Sequence, residues 1–319
     1  MLRFLLPLLL VVTPLATTAP ASDAAFELSG RIEPRGRASV TLFGASSPFS
    51  ASSLTETDGS FTFRKLDPGA YTLAVFYPDR GEARRTVQVG PGTADSRHRV
   101  VLKLEFQDSD FVYADAMKRR HAISARQLAI PDKAQREYED AHKSLSRRDV
   151  ESAVRSLEQA VELAPQFSAA WNELGTIAYQ TQKYQRAEQC FRQALLEDPQ
   201  SYEPLVNLGG VLVTLRRTDE SLTYNIYAVL TRPNDALAQS QLGMSYFQAA
   251  NFDLAMKHLE LARRIDPAHF SCPQLTMAEI DLRRGDRSAA ADIMEEFLKY
   301  HPDWPNAAKM REAIVQFRQ

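Results

Sequence analysis

Two hydrophobic periods divide the chain. Between Phe26 and Phe106 apolar residues alternate with polar ones: Val40 and Leu42, Phe61 and Phe63, then Tyr71, Leu73, Val75 and Tyr77. Val87 and Val89 continue the alternation, followed by Val100, Leu102, Leu104 and Phe106. A period of two marks strands with one buried face. Asp58-Gly59, Asp67-Pro68-Gly69, the stretch from Pro78 to Gly81, and Gly90-Pro91-Gly92 separate the runs as turns. Short alternating strands with regular turns predict an antiparallel β-sandwich over 22–106. From Ala134 onward the apolar and small residues fall three and four apart, which predicts helices with one buried stripe. Residues 107–133 keep neither period and read as a linker. Its apolar Phe111, Tyr113 and Ile130 predict partial docking, and Pro131 suits the first turn of the opening helix. The basic cluster Lys118-Arg119-Arg120 reads as solvated, with a docking patch for acidic lipid as the competing reading.

The helical half is repetitive. Pro165, Pro199, Pro233 and Pro267 recur every 34 residues, and Pro302 follows 35 after the last. The sharpest copy holds Trp171, Leu174-Gly175, Tyr179, Ala187, Phe191, Ala194 and Pro199. Later copies keep Leu208-Gly209 with Ala228, then Leu242-Gly243 with Tyr246, Ala255, Leu259 and Ala262. The first keeps Ala141, Ala153, Leu157 and Ala160, and the last keeps Ala278, Ala290 and Met294. Small residues let two helices approach closely, and proline ends the second helix of each pair. One pair cannot bury its own apolar face, so neighbours must stack. The units run 134–167, 168–201, 202–235, 236–270 and 271–304, and Ala307, Met310, Ala313, Ile314 and Phe317 space a capping helix within 305–319. The third unit departs from the pattern, with Ser221 in place of Ala and Asn225 in place of Phe, Leu or Met. The fold class is thus multidomain, a β-sandwich followed by an all-α solenoid.

The helical copies resemble the tetratricopeptide repeat (TPR) through W-x₂-L-G and the spaced Ala, Phe, Ala and Pro of 168–199. The run from Thr57 to Leu73, with its D-G-x-F-x-F and L-x-P-G-x-Y-x-L spacing, resembles the carboxypeptidase regulatory-like domain, a small transthyretin-like sandwich. That second resemblance implies a structural or adhesive module without chemistry of its own. The first implies a concave groove lined by the first helix of each pair. Spacing from the Leu-Gly sites then places Tyr138, His142, Asn172, Thr176, Tyr179, Val206, Val213, Met244, Phe247 and Leu275 on the groove, with Gly210, Ser240, Glu279 and Leu282 beside them. Apolar and aromatic anchors of this kind suit an amphipathic helix or an extended peptide. Some members of the family grip a C-terminal carboxylate with Lys, Arg and Asn. Asn172 and Asn207 fit that mode, but the basic partners are missing from the groove-lining positions.

Composition narrows the reading further. The 319 residues carry a net charge of −2, which leaves no electrostatic footprint for nucleic acid. Arg3, the apolar run Phe4 to Val12 and the closing Ala19-Pro20-Ala21 read as a secretory signal peptide over 1–21, cleaved before Ser22. A retained anchor is the alternative, although the run is short beside the ~20 residues of a spanning helix. The expectation is an exported protein of the periplasm or cell envelope, with no stable membrane insertion after cleavage. Export permits disulfides. Cys190 and Cys272, however, fall three repeats apart, on the order of 25 Å at packed-helix spacing, too far for an intramolecular bond.

No G-x-S-x-G, H-E-x-x-H, C-x-x-C or P-loop occurs, and the six histidines show no metal-ligand spacing. The Gly209-Gly210 pair falls inside a repeat helix, and Glu295-Glu296 reads as a solvated face. The sequence therefore predicts no catalytic residue, cofactor or metal. It predicts a non-enzymatic scaffold of the bacterial envelope that binds a protein or peptide in its groove. An adhesive or glycan-binding role for the sandwich, and an accessory subunit of an envelope enzyme, are the alternatives.

Overall fold

The computed structural model describes residues 25–111 and 129–319. The signal-peptide segment and the Lys118-Arg119-Arg120 cluster lie outside the described residues. Among the described residues, seven strands come first: β1 (Phe26–Glu33), β2 (Ser39–Gly44), β3 (Ser50–Leu54), β4 (Ser60–Leu66), β5 (Gly69–Tyr77), β6 (Gly81–Val89) and β7 (Arg99–Glu105). They form two sheets, ordered β4-β1-β7 and β3-β2-β5-β6. All pairs are antiparallel except β1 with β7, which run parallel with Leu28 opposite Val100. The inner faces share one core of Leu28, Ile32, Val40, Leu42, Phe61, Phe63, Tyr71 and Leu73. Tyr71 keeps its hydroxyl satisfied by donating to the Asp67 carbonyl at 2.8 Å. Phe111 packs on this core, with its ring 5.7 Å from Tyr77 and 5.8 Å from Phe106, while Tyr113 lies outside the described residues.

Eleven helices follow among the described residues. They pair as α1 (Asp132–Ser146) with α2 (Val150–Leu163), α3 (Ser168–Gln180) with α4 (Tyr184–Glu197), and α5 (Tyr202–Thr214) with α6 (Thr218–Thr231). The pairs α7 (Ala236–Gln248) with α8 (Phe252–Ile265) and α9 (Pro273–Arg284) with α10 (Arg287–Tyr300) complete the stack, and α11 (Ala307–Phe317) caps it. Within a pair the helices nearly touch. A Cβ on Gly175 would lie 2.5 Å from the Phe191 ring, and one on Gly243 would lie 2.6 Å from Leu259. Between pairs, a side chain in the first turn of three of the first helices grips the preceding loop. Trp171 Nε1 donates to the Pro165 carbonyl at 2.9 Å, Gln239 to Pro233 at 2.7 Å, and Gln274 to Pro267 at 2.7 Å. The terminating prolines thus end a helix and also present the acceptor that joins one pair to the next. Buried Ala307, Met310 and Ile314 seal the last pair.

Each turn inside a pair holds a residue in the left-handed region: Arg148, Gln182, Arg216, Ala250 and Gly285, with φ of 60, 62, 57, 57 and 83°. Four of the five are not glycine, and a side chain in that region is sterically disfavoured. Ala250→Gly is expected to raise stability by about 0.5–1 kcal/mol in urea unfolding, because relief of the Cβ clash outweighs the entropy that glycine adds to the unfolded chain.

The third pair departs from its neighbours in packing as it does in sequence. Asn225 is fully buried where Phe191 and Leu259 stand, and its Nδ2 donates to Ser245 Oγ at 3.0 Å. Its Oδ1 has no partner, with Gly209 pressed against it. Ser221 Oγ reaches the same Ser245 at 3.0 Å. Asn225→Leu is expected to raise stability by about 1 kcal/mol, since it removes an unsatisfied buried acceptor and leaves Ser245 bonded to Ser221 and Gln241. A fall in the urea midpoint would contradict this.

Candidate functional site

The first helices of the pairs, α1, α3, α5, α7 and α9, line the concave side of the stack. The predicted groove residues divide into two groups there. Tyr138 and His142 sit edge to face at 4.7 Å, and Phe167 lies 5.0 Å from the Tyr138 ring. Burial, with Glu173 nearby, pushes the Tyr138 phenol up, and burial also raises the Glu173 carboxyl against the pull of His142. Asn172 accepts from Asn207 at 3.0 Å, and Thr176 donates to the Asn172 carbonyl at 3.0 Å. Tyr179 pairs its hydroxyl with Thr214 at 3.1 Å. Met244 and Phe247 are half-buried, and the Arg283 guanidinium lies 4.8 Å over the Phe247 ring. These seven side chains keep some surface. Val206, Val213 and Leu275 do not, at 2, 3 and 3 % exposure. Val206 packs against Ala238 of the next pair, and Leu275 joins the core of the last. They are buried, a correction to the groove that spacing predicts: Val206 meets the following pair and Leu275 the core of its own.

The sandwich is fastened to both rims of this concave side. At the rim formed by the turns within pairs, Gln180 Nε2 donates to the Gly44 carbonyl at 2.9 Å. Arg148 donates to the Lys65 carbonyl at 3.1 Å, pairs with Asp67 at 2.6 Å, and lies 5.0 Å over the Phe49 ring. Strand β3 runs beside α1. At the opposite rim, formed by the loops between pairs, β6 and the loop after it make the contacts. Arg84 meets Glu203 at 3.3 Å, and Arg85 donates to the Ile265 carbonyl. The Thr86 backbone N–H, which faces away from β5, donates to Asp266 Oδ2 at 2.9 Å. Gln88 Nε2 donates to the Ala268 carbonyl at 3.3 Å and to His301 Nδ1 at 3.2 Å. The Gly92 N–H lies 2.8 and 3.0 Å from the two Asp303 oxygens. An edge strand exposes unpaired backbone donors, and here the stack satisfies one of them.

Electrostatics follows the geometry. Burial lowers Arg84, but Glu82, Glu203 and Asp235 outweigh it, so the guanidinium is held charged. Burial pushes His301 down to about 4; Asp266 opposes the shift and His269 adds to it. The ring stacks on Phe297 at 4.4 Å and is only 5 % exposed. With Nδ1 accepting from Gln88, the proton of the neutral ring sits on Nε2, which is buried without a partner. Cys190 and Cys272 are both free and buried, and burial pushes Cys272 up to about 12. Glu173, Gln180 and Glu203 on the concave helices, and Arg148, Asp266, His301 and Asp303 on the rims, are absent from the sequence-predicted set. A spacing rule drawn from one helix face does not reach rim loops.

Sequence comparison bears directly on both halves. A family model described as carboxypeptidase regulatory-like domain matches residues 29–103, and one described as tetratricopeptide repeat matches 138–204. The chain joins a carboxypeptidase regulatory-like domain to a tetratricopeptide-repeat array. Over 164 residues it is 30% identical to the human cell division cycle protein 16 homolog, an alignment covering 47% of this chain and 26% of that protein. It is 22% identical over 159 residues to anaphase-promoting complex subunit 3 of Schizosaccharomyces pombe, covering 50% of this chain and 24% of that one. The chain thus spans about a quarter of the length of these relatives. Among solved structures, PilW, a type IV pilus biogenesis factor, superposes with a TM-score of 0.50 at 21% identity, covering 59% of this chain and 91% of that one. That likeness concerns the fold. TPR arrays are protein-interaction scaffolds whose stacked pairs create extended concave binding surfaces. Among the described residues, no helix is long and apolar enough to cross a membrane.

His301 is expected to make the stability of the TPR array depend on pH. Its folded value, about 4, lies below the ordinary 6.5, so its contribution is complete above pH 6.5 and is lost as pH falls from 6.5 to 4. The loss is expected to reach about 3 kcal/mol, read as a falling urea midpoint. His301→Leu should flatten that slope without abolishing it, since burial also lowers His269. An unchanged slope in the variant would place the titration elsewhere.

Proposed function

We propose that this protein is a non-enzymatic interaction scaffold of the bacterial cell envelope that takes a protein partner on the concave side of its TPR array. The observation that carries the reading is the array itself, with Tyr138, Tyr179, Met244 and Phe247 half-buried along one curved face and Asn172 and Thr176 between them. Half-buried aromatic and thioether groups gain most from a partner that completes their burial. Interleaved amides and hydroxyls fix its register, as an amphipathic helix or extended peptide requires. The positively charged start, apolar run and Ala19-Pro20-Ala21 of the N-terminal segment support export.

Two measurements test this. N-terminal sequencing of the protein from envelope fractions should begin at Ser22; recovery in the cytoplasm with Met1 retained would refute the location. Immobilised 22–319 should retain a specific protein from envelope extract of the source organism, and Tyr179→Ala/Phe247→Ala should retain at least tenfold less while keeping its helical circular dichroism. Equal retention by both forms would move binding away from the concave face.

A further inference from the structure

The concave face already has an occupant. The four-stranded sheet reaches the stack at both ends: β3 lies beside α1 of the first pair, and β6 is bonded to Ile265, Asp266, Ala268 and His301 near the last. The outer strands of a four-stranded sheet are about 15 Å apart. The first helices of five stacked pairs span roughly 40 Å along their course. A stack that curls toward the sheet brings both of its ends to it. The partners on the helices themselves agree, because Gln180 and Glu203 belong to the concave-lining helices α3 and α5.

The bonding is of a separable kind. Every apolar cluster among the described residues lies wholly within the sandwich or wholly within the array. Among the described residues, the bonds that join the two are hydrogen bonds, ion pairs and one guanidinium on a ring, which water can replace at modest cost. A shared apolar core would fix the two parts permanently, whereas this latch leaves each part its own core when it opens.

We propose that the sandwich is an intramolecular ligand of the TPR array: docked, it closes the concave face, and a protein partner reaches the aromatic lining only after the sandwich lifts away. The clause about the partner rests on the function proposed above; the closure itself does not, and it can be tested without any partner.

Hydroxyl-radical footprinting of the full chain, read by mass spectrometry at Tyr138, Tyr179, Met244 and Phe247, measures the closure. Two variants bracket it. Arg148→Ala/Asp266→Ala/Asp303→Ala removes latch groups from both rims. Gly90→Cys/Asp303→Cys closes the latch covalently: a Cβ on residue 90 lies 3.7 Å from the Asp303 Cβ, within the disulfide spacing of about 3.5–4.5 Å. The natural cysteines are buried and should not compete. The triple variant should label the four groove residues at least threefold faster than wild type. The oxidised cysteine variant should label no faster than wild type, and its reduction should raise the rate. Exposed Tyr227 and Leu230 on α6 serve as the folding control, with unchanged labelling. If they change in the triple variant, the oxidised and reduced forms of the cysteine variant decide. Equal groove labelling in those two forms, or wild-type labelling as fast as that of the triple variant, would overturn the proposal.

Discussion

The architecture depends on how closely two helices can approach. Where Gly175 faces Phe191 and Gly243 faces Leu259, no atom larger than hydrogen fits between the first helix and the side chain of the second. That approach sets the thickness of a pair. Repeated with the proline-carbonyl grips of Trp171, Gln239 and Gln274, it sets the pitch at which pairs stack. Pitch gives curvature, and curvature makes a concave side deep enough for a sheet to lie across. The concave face is thus a consequence of small residues at a 34-residue interval. The same constraint explains why Asn225 is tolerated and still costly: the approach at Gly209 leaves its amide almost no freedom to find a second partner.

Chemistry divides along the same line. Inside each half, burial is apolar and cooperative, as in the sandwich core around Leu28 and Leu73 or the cluster that joins Leu157 to Leu174 across two pairs. Between the halves the contacts are polar and individually weak, and they lie at the rims. The sandwich edge is satisfied by carboxylate and carbonyl groups that loops present, and the His301 imidazole there is kept neutral by its surroundings.

Much of this was legible in the sequence, and the rest was not for physical reasons. The pairs, their prolines and the small contact sites follow from spacing, because helical packing demands particular sizes at particular intervals. Strand β3, Ser-Ala-Ser-Ser-Leu, carries no alternation to read; its outer edge needs no apolar face because α1 lies beside it. The left-handed turns were hidden because Arg148, Gln182, Arg216 and Ala250 lack the glycine that signals such a conformation. Tyr138, Tyr179, Met244 and Phe247, named from spacing, are half-buried on the first helices of their pairs. Val206 shows where a rule written for one repeat misses the helix that follows, and Val213 and Leu275 are buried as well. The rim contacts depend on a second domain folding back, and no local pattern encodes that.

Arg148 has a meaning that its bonds alone do not convey. A repeat array is nearly periodic, so a body lying along it meets an almost equivalent surface one unit further on and is free in principle to slip, like a nut on a thread. Gln182 occupies the turn one unit along, and at the far rim a one-unit advance would carry Gly92, in the loop after β6, past Asp303. Neither end then finds its match. The sandwich is indexed by the places where the repeats differ, so drift toward a perfect consensus would leave the fold intact and erase the position at which its two halves engage.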